Sequence, residues 1–236
     1  MTGISAPAID AVLFDKDGTL FDFAGTWEVW AAGFLRRVSD GDQTRATRLG
    51  DAIGYDFAQA KFRHDSVAIA GTPDDMVSAL APEFPNLSPG QILHMINDEA
   101  ASAPLVEAVP LSPYLTNLRG AGLKLGVATN DAEAPALAHL EAFDVHGLFD
   151  FIAGSDSGYG AKPEPGQLFA FCDHVNVQPD RVLMVGDSTH DLEAGRAAGM
   201  WTAAVLTGMA KTAALAPFSD IVVPDIGHLP GWLGLH

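Results

Sequence analysis

Cysteine is almost missing from this chain: Cys172 is the only one among 236 residues. A disulfide framework is therefore excluded, and the usage fits a reducing compartment. Cys172 follows the apolar stretch Leu168-Phe169-Ala170-Phe171, where a thiol acts as a small buried hydrophobe. Positive charge is also scarce. Thirteen Lys and Arg stand against 30 Asp and Glu, for a formal net charge of −17. Such a chain repels nucleic acid and anionic membranes at long range, so neither is expected as a partner. An anionic substrate would have to be held by local lysines, backbone N–H groups and a cation against that field. Long apolar runs are missing too, since no segment approaches the ~18 consecutive apolar residues of a membrane span. No Lys or Arg precedes Lys16, and Asp10 comes before the first apolar run, unlike a secretory leader. The cytoplasm is the expected location.

What the chain does have is 48% hydrophobic residues, enough for a sizeable core in one large domain or a core with an insertion. Short apolar runs recur at Ala11–Phe14, Leu123–Ala128, Phe151–Ala153, Val182–Val185, Thr202–Leu206 and Ile221–Val223. They read as strands buried on both faces. Helix-like stretches lie between them at Ser112–Ala121, Ala132–Ala142, Pro165–Val175 and His190–Ala198. The alternation predicts an α/β fold, a parallel sheet with helices on both faces. From about residue 21 to 104 the alternation stops. Helical pieces appear instead near 27–38, 44–53, 74–80 and 89–103, interrupted by Pro82, Pro85 and Pro89. The expected organisation is a core of residues 1–20 and 105–236 with a helical insert over 21–104.

In open parallel sheets, ligands bind outside the carboxyl ends of the strands. Asp15 and Asp17 follow the first run, Thr129 and Asn130 the second, Lys162 the third, and Asp187 and Asp191 the fourth. One crevice would thus gather two carboxylate pairs, a hydroxyl, an amide and an ammonium. That set suits phosphoryl transfer. A carboxylate can attack phosphorus, a hard cation such as Mg²⁺ takes oxygen ligands, and Thr, Lys and backbone N–H groups can hold phosphoryl oxygens. Residues i and i+2 share a side of a strand, so Asp15 and Asp17 face one volume while Lys16 is expected to point out of it. Each residue also has a plainer reading. Asp15-Lys16-Asp17-Gly18 could be a solvated turn, Lys162 a surface lysine, and Asp187, Asp191 and Thr129-Asn130 helix caps. His190 reads as a solvent-facing residue at a helix start, because Mg²⁺ prefers oxygen. In the insert, Trp27, Trp30 and Phe34 form an aromatic stripe of the kind that packs a helix. Lys61-Phe62-Arg63-His64-Asp65-Ser66 concentrates positive charge and is either a solvated loop or a specificity element containing Arg63 and His64.

The stretches FDKDGTLFD, LKLGVATND, AKPEPGQLF and VLMVGDSTHDLEAGRAAGM, in this order, resemble the haloacid dehalogenase superfamily. The similarity is strongest to its phosphoglycolate-phosphatase-like branch with a helical cap. The resemblance implies a Rossmann-like core and a Mg²⁺-dependent hydrolase of a small phosphorylated metabolite, with phosphoglycolate one candidate. It implies that Asp15 is the nucleophile, Asp17 the general acid/base, and Thr129, Asn130 and Lys162 the phosphate-binding residues. Asp187 would hold Mg²⁺ with Asp15 and the Asp17 carbonyl, supported by Asp191. Lys16 stands where relatives commonly have an apolar residue, and Val109-Pro110-Leu111-Ser112-Pro113 replaces the usual Pro-Gly before the post-cap helix. A phosphomutase of the β-phosphoglucomutase type on the same scaffold is the alternative. A non-catalytic binding protein is the other, though the retained Asp15 and Asp17 speak against it. A monomer or homodimer is expected.

Overall fold

The computed structural model describes residues 8–235, so the outermost residues of the expected core segments, 1–7 and 236, lie outside it. Strand β1 (Ala11–Phe14) is buried along its whole length and leads into an insert. The insert holds α1 (Val29–Val38), α2 (Gln43–Ala52), β2 (Tyr55–Asp56), β3 (Lys61–Phe62), α3 (Val67–Ala70), α4 (Pro73–Leu80) and α5 (Pro89–Ala100). The chain then alternates through α6 (Leu111–Gly120), β4 (Lys124–Ala128), α7 (Glu133–Ala142), β5 (Phe151–Ala153), α8 (Gly166–Val175) and β6 (Val182–Gly186). It ends with α9 (Thr189–Ala198), β7 (Trp201–Val205), α10 (Thr212–Leu215), β8 (Ile221–Val223) and α11 (Leu229–Trp232).

The six longer-range strands pair in parallel in the order β5-β4-β1-β6-β7-β8. Ala11 lies beside Lys124 of β4 on one side and Val182 of β6 on the other. Strand order runs outward from β1 in one direction and then, after β5, in the other. That reversal leaves a crevice at the carboxyl end of β1. The twofold side-chain period divides the strands between two cores. Val12, Phe14, Leu183 and Val185 face one apolar cluster with Leu115 of α6 and Leu140 of α7. Ala11, Leu13, Val182 and Met184 face the other, with Phe171 and Cys172 of α8 and Ala194 of α9. Cys172 is buried there as expected, and burial pushes its thiol up to about 11.

The insert forms a helical cap with its own core, in which Trp30, Phe34, Leu49, Tyr55, Phe62 and Ile92 meet. Capping boxes start α4 at Thr72 and α5 at Ser88, each with proline in the first turn. Two features differ from the sequence reading. The first helix begins with a π-helical turn, Ala24–Glu28, so Trp27 precedes α1, yet it keeps its place in the stripe: its ring meets Trp30 edge-on, and Trp30 stacks on Phe34. The supposed loop at 61–66 contains β3, paired antiparallel with β2, because Phe62 is drawn into the cap core. Two-residue strands carry too little periodicity to be read from sequence. Among the described residues, no helix is long and apolar enough to cross a membrane.

Gly126 in β4 tests how tightly the sheet is covered. A Cβ there would come within 2.6 Å of the Phe171 ring and 3.0 Å of Leu13. Both neighbours are fully buried. Gly126→Ala is therefore expected to cost about 1–3 kcal/mol by overpacking, read as a lower midpoint in urea at unchanged slope.

Candidate functional site

Four loops at the carboxyl ends of β1, β4, β5 and β6 converge on one pocket, and the cap closes over it. The pocket is lined by Asp15, Asp17, Thr129, Asn130, Lys162, Asp187 and Asp191 together with cap residues. All seven core residues picked out from the sequence are therefore brought together. Arg63 and His64 are not among the lining residues. Both are exposed, and Arg63 Nη1 donates to Asp51 Oδ1 at 2.9 Å.

Lys162 is the centre of the charge arrangement. Its Nζ donates to Asp15 Oδ1 (2.7 Å), Asp191 Oδ1 (2.6 Å) and the Ala128 carbonyl (2.7 Å), so all three of its protons are used. The surface-lysine reading is excluded by its burial. Burial works against the ammonium, but the two carboxylates prevail and hold its pKa above the usual lysine range. Asn130 fixes the loop that carries this lysine: its Oδ1 accepts from the Lys162 N–H at 2.8 Å and its Nδ2 donates to the Lys162 carbonyl at 2.9 Å. Gln167, which the sequence did not single out, donates from Nε2 to Thr129, Gly154 and Gly160 carbonyls and ties the same loop to β4 and β5. Thr129 and Asn130 are not caps, since Ala132 occupies the cap of α7.

Asp191 has both oxygens engaged. Oδ1 faces Lys162, and Oδ2 accepts from the backbone N–H (3.0 Å) and hydroxyl (2.7 Å) of Ser188, the cap of α9. Asp187, by contrast, receives no hydrogen bond from another residue among those described. Burial, followed by repulsion from Asp15 and Asp191, drives its pKa well above the usual carboxylate range. Asp15 is pushed up to about 7, chiefly by burial, against the pull of Lys162. Ligand oxygens of Asp15, Asp187 and Asp191 lie within 4.8 Å of one another. An all-oxygen set in which burial and mutual repulsion raise the pKa of Asp15 and Asp187 fits a hard divalent cation. Two glycines make room for Asp187. A Cβ on Gly18 would approach its carboxylate to 2.5 Å, and φ of +81° there already favours glycine. A Cβ on Gly208 would overlap the same carboxylate. Gly208 lies past β7, outside every stretch that the sequence reading used.

Lys16 corrects an expectation. It does not line the pocket, as expected, but instead of reaching solvent the side chain is fully buried beside it. Nζ donates to Asp17 Oδ1 at 2.8 Å, lies 3.1 Å from Asp131 Oδ2 and 3.0 Å from His139 Nδ1, and sits 5.4 Å from the Trp27 ring centre. Burial opposes its charge, yet Asp17 and Asp131 hold its pKa above the usual value. Asp131 was part of a recognised stretch without a role; Lys16 gives it one. His190 is also corrected. It lines the pocket, and its Nδ1 lies 3.2 Å from the Ala70 carbonyl of the cap.

His139 links this network to the cap. Nε2 lies 2.7 Å from the Ala100 carbonyl, which can only accept, so Nε2 carries the proton and Nδ1 accepts from Lys16. Burial, and then the neighbouring Lys16 charge, lower its pKa from 6.5 to about 4. The folded state thus binds this proton less readily than the unfolded chain. Its contribution to stability is complete above about pH 6.5 and is lost as pH falls towards about 4. Glutamine can keep an acceptor and a donor in place without titrating. His139→Gln is therefore expected to lose less stability than the unaltered protein over that window, measured as the slope of melting temperature against pH.

Comparison with known proteins follows the same pattern. Residues 9–199, more than half of the chain, match the family model of the haloacid dehalogenase-like hydrolases. The chain is 34% identical to a phosphoglycolate phosphatase of Rhodospirillum rubrum over 95% of its length and 90% of the relative's. It is 31% identical to a phosphoglycolate phosphatase of Nitrosospira multiformis, covering 81% of this chain and 80% of that one. Its backbone is similar to that of CbbY from Rhodobacter sphaeroides in complex with phosphate, with a TM-score of 0.70 at 19% identity over 96% of this chain and 100% of that one. The Rossmann-like sheet, the cap and the acidic pocket are those of an enzyme, and the chain belongs to the haloacid dehalogenase-like hydrolase family.

Proposed function

We propose that this protein is a cytoplasmic, Mg²⁺-dependent phosphomonoester hydrolase that works through a phosphorylated Asp15. The observation that carries the reading is the position of Asp15. Lys162 holds its Oδ1, while Oδ2 has no hydrogen-bond partner among the described residues and Asp15 lines the pocket. A carboxylate oriented at one oxygen and free at the other is suited to attack. Asp15, the Asp17 carbonyl and Asp187 would hold Mg²⁺, which supplies charge neutralisation between the nucleophile and the phosphoryl group.

The chain's own residues account for the remaining work. Asp15 forms the new P–O bond as the ester P–O bond breaks, and Asp17 gives its proton to the departing alkoxide. Asp17 then takes a proton from the water that attacks phosphorus, which releases inorganic phosphate and restores the Asp15 carboxylate. Lys16 fixes the Asp17 carboxylate between these two proton transfers. Both Thr129 and Lys162 line the pocket, which supports a phosphoryl contact for the Thr129 hydroxyl, while the Lys162 ammonium, its protons already donated, orients Asp15 and offsets the phosphoryl charge. The names of the two relatives offer phosphoglycolate as the ester to compare with others. The mutase alternative would return the phosphoryl group to a sugar rather than to water.

Asp15→Asn is expected to fold normally and lose turnover by several orders of magnitude, since an amide is a poor nucleophile. With p-nitrophenyl phosphate the leaving group needs little acid help, so Asp17→Asn should release about one equivalent of phenolate in a burst and then turn over slowly. Chelation should abolish activity and Mg²⁺ restore it. Inorganic phosphate should match ester consumed even with sugar phosphates present. Transfer of label between sugar hydroxyls without phosphate release would establish the mutase instead.

A further inference from the structure

The cap side of the pocket differs sharply in character from the core side. The core side contributes five carboxylates, Asp15, Asp17, Asp131, Asp187 and Asp191, against one lysine, Lys162. That lysine has no proton to spare for a leaving group, because all three are donated within the core. The cap wall is built mainly from Phe23, Trp27, Trp30, Ile69, Met76 and Ile96, and the hydroxyl of Thr72, also in the lining, donates to Asp75. Among the described residues, no arginine lines the pocket and no lysine reaches it from the cap. The cap's five arginines are engaged elsewhere: Arg48 with Glu83, Arg63 with Asp51, Arg37 with Glu99, Arg45 with Asp40, and Arg36 over the Phe57 ring. The pocket's imidazole, His190, has its Nδ1 directed at the Ala70 carbonyl.

Lys16 Nζ offsets part of that core charge from behind Asp17 and Asp131, but it does not line the pocket, so a leaving group with its own carboxylate would meet no counter-charge on the cap wall. Removing that carboxylate from water against aromatic and aliphatic side chains is costly unless it is paired. A neutral apolar group gains from the same contacts. Trp30 lines the pocket but is only 6% exposed, and its Nε1–H is buried away from solvent. It adds apolar ring surface to the wall rather than a donor for a carboxylate.

We infer that the leaving group of the preferred ester is an uncharged, predominantly apolar alcohol, aromatic or branched aliphatic, rather than a carboxylate-bearing one such as glycolate. This rests on the phosphatase reading above, and names the substrate class for the same site. Phe23, Trp27, Trp30, Ile69, Met76 and Ile96 are then the specificity wall, and the core residues are indifferent to the alcohol. Ile69 is the best position for a test, because it is only half-buried and lies in the short helix α3 at the edge of the cap core.

The experiment compares Mg²⁺-supported hydrolysis of benzyl phosphate, 2-phosphoglycolate and p-nitrophenyl phosphate by the full chain. Benzyl phosphate is expected to exceed phosphoglycolate by about tenfold or more in kcat/KM, with most of the difference in KM. Ile69→Arg, which places a cation on the wall, should shrink or reverse that ratio. Phosphoglycolate turned over as well as or better than benzyl phosphate would overturn the inference and leave the phosphatase reading intact. Failure on all three esters, p-nitrophenyl phosphate included, would overturn the phosphatase reading itself. A folded Ile69→Arg protein with an unmoved ratio also counts against the assigned wall. Should that variant fail to fold, binding to Asp15→Asn decides. Benzyl phosphate should perturb indole fluorescence at lower concentration than phosphoglycolate, and the reverse order would refute the inference.

Discussion

Too many carboxylates in too small a volume is the constraint around which this molecule is organised. Asp15, Asp187 and Asp191 bring ligand oxygens within 4.8 Å of one another, and all three are buried. Lys162 offsets part of that charge by spending every proton on Asp15, Asp191 and the Ala128 carbonyl. Removing the lysine would leave two buried carboxylates without compensation, a loss of about 3–5 kcal/mol where such pairs have been broken. The raised pKa values of Asp15 and Asp187 show the remaining imbalance, to which burial contributes most. A divalent cation would complete the arrangement, because it would supply the positive charge that Lys162 alone does not. Glycine at 18 and 208 follows from the same requirement, because any side chain there would displace Asp187.

A second buried ammonium extends the arrangement from the core into the cap. Lys16 satisfies Asp17, Asp131 and His139, and His139 in turn donates to the Ala100 carbonyl at the end of α5. Asn130 and His190 both reach the Ala70 carbonyl in α3. The cap thus rests on side chains belonging to the same network as the candidate nucleophile and acid/base. Any opening of the cap would break the Ala70 and Ala100 contacts and so disturb the order of the site. Ile69 of α3 and Ile96 of α5, both in the apolar wall, belong to the same elements, so the contacts that hold the cap also fix part of that wall beside Asp17.

The core was legible in the sequence because its signals are local. Short apolar runs bounded by polar residues marked the strands, and the residue following each run marked the crevice. Lys162, Asp187 and Asp191 could be placed without knowing any distance, since strand ends of a parallel sheet face one edge. What escaped reading depends on contacts between distant segments. Lys16 was expected to point away, and only its four-carbon stem and the positions of Asp131 and His139 bring its Nζ back to Asp17. Gly208 lies on a loop, and Gln167 and His190 sit in the first turns of α8 and α9, and in each case the partner is a distant segment whose approach has no periodic signal. In the cap, Arg63 and His64 drew notice as charges in an acidic chain, whereas the pocket is lined by aromatic and aliphatic residues indistinguishable in sequence from ordinary helix core.

The most direct test of the account is the thermal stability of the protein and of Asp187→Asn, each with and without Mg²⁺ at neutral pH. If buried carboxylate repulsion organises the site, Mg²⁺ raises the melting temperature of the unaltered protein. Asp187→Asn then melts higher than the unaltered protein in the absence of the metal and gains little when it is added. A melting temperature indifferent to Mg²⁺, or an equal gain in Asp187→Asn, would contradict the account.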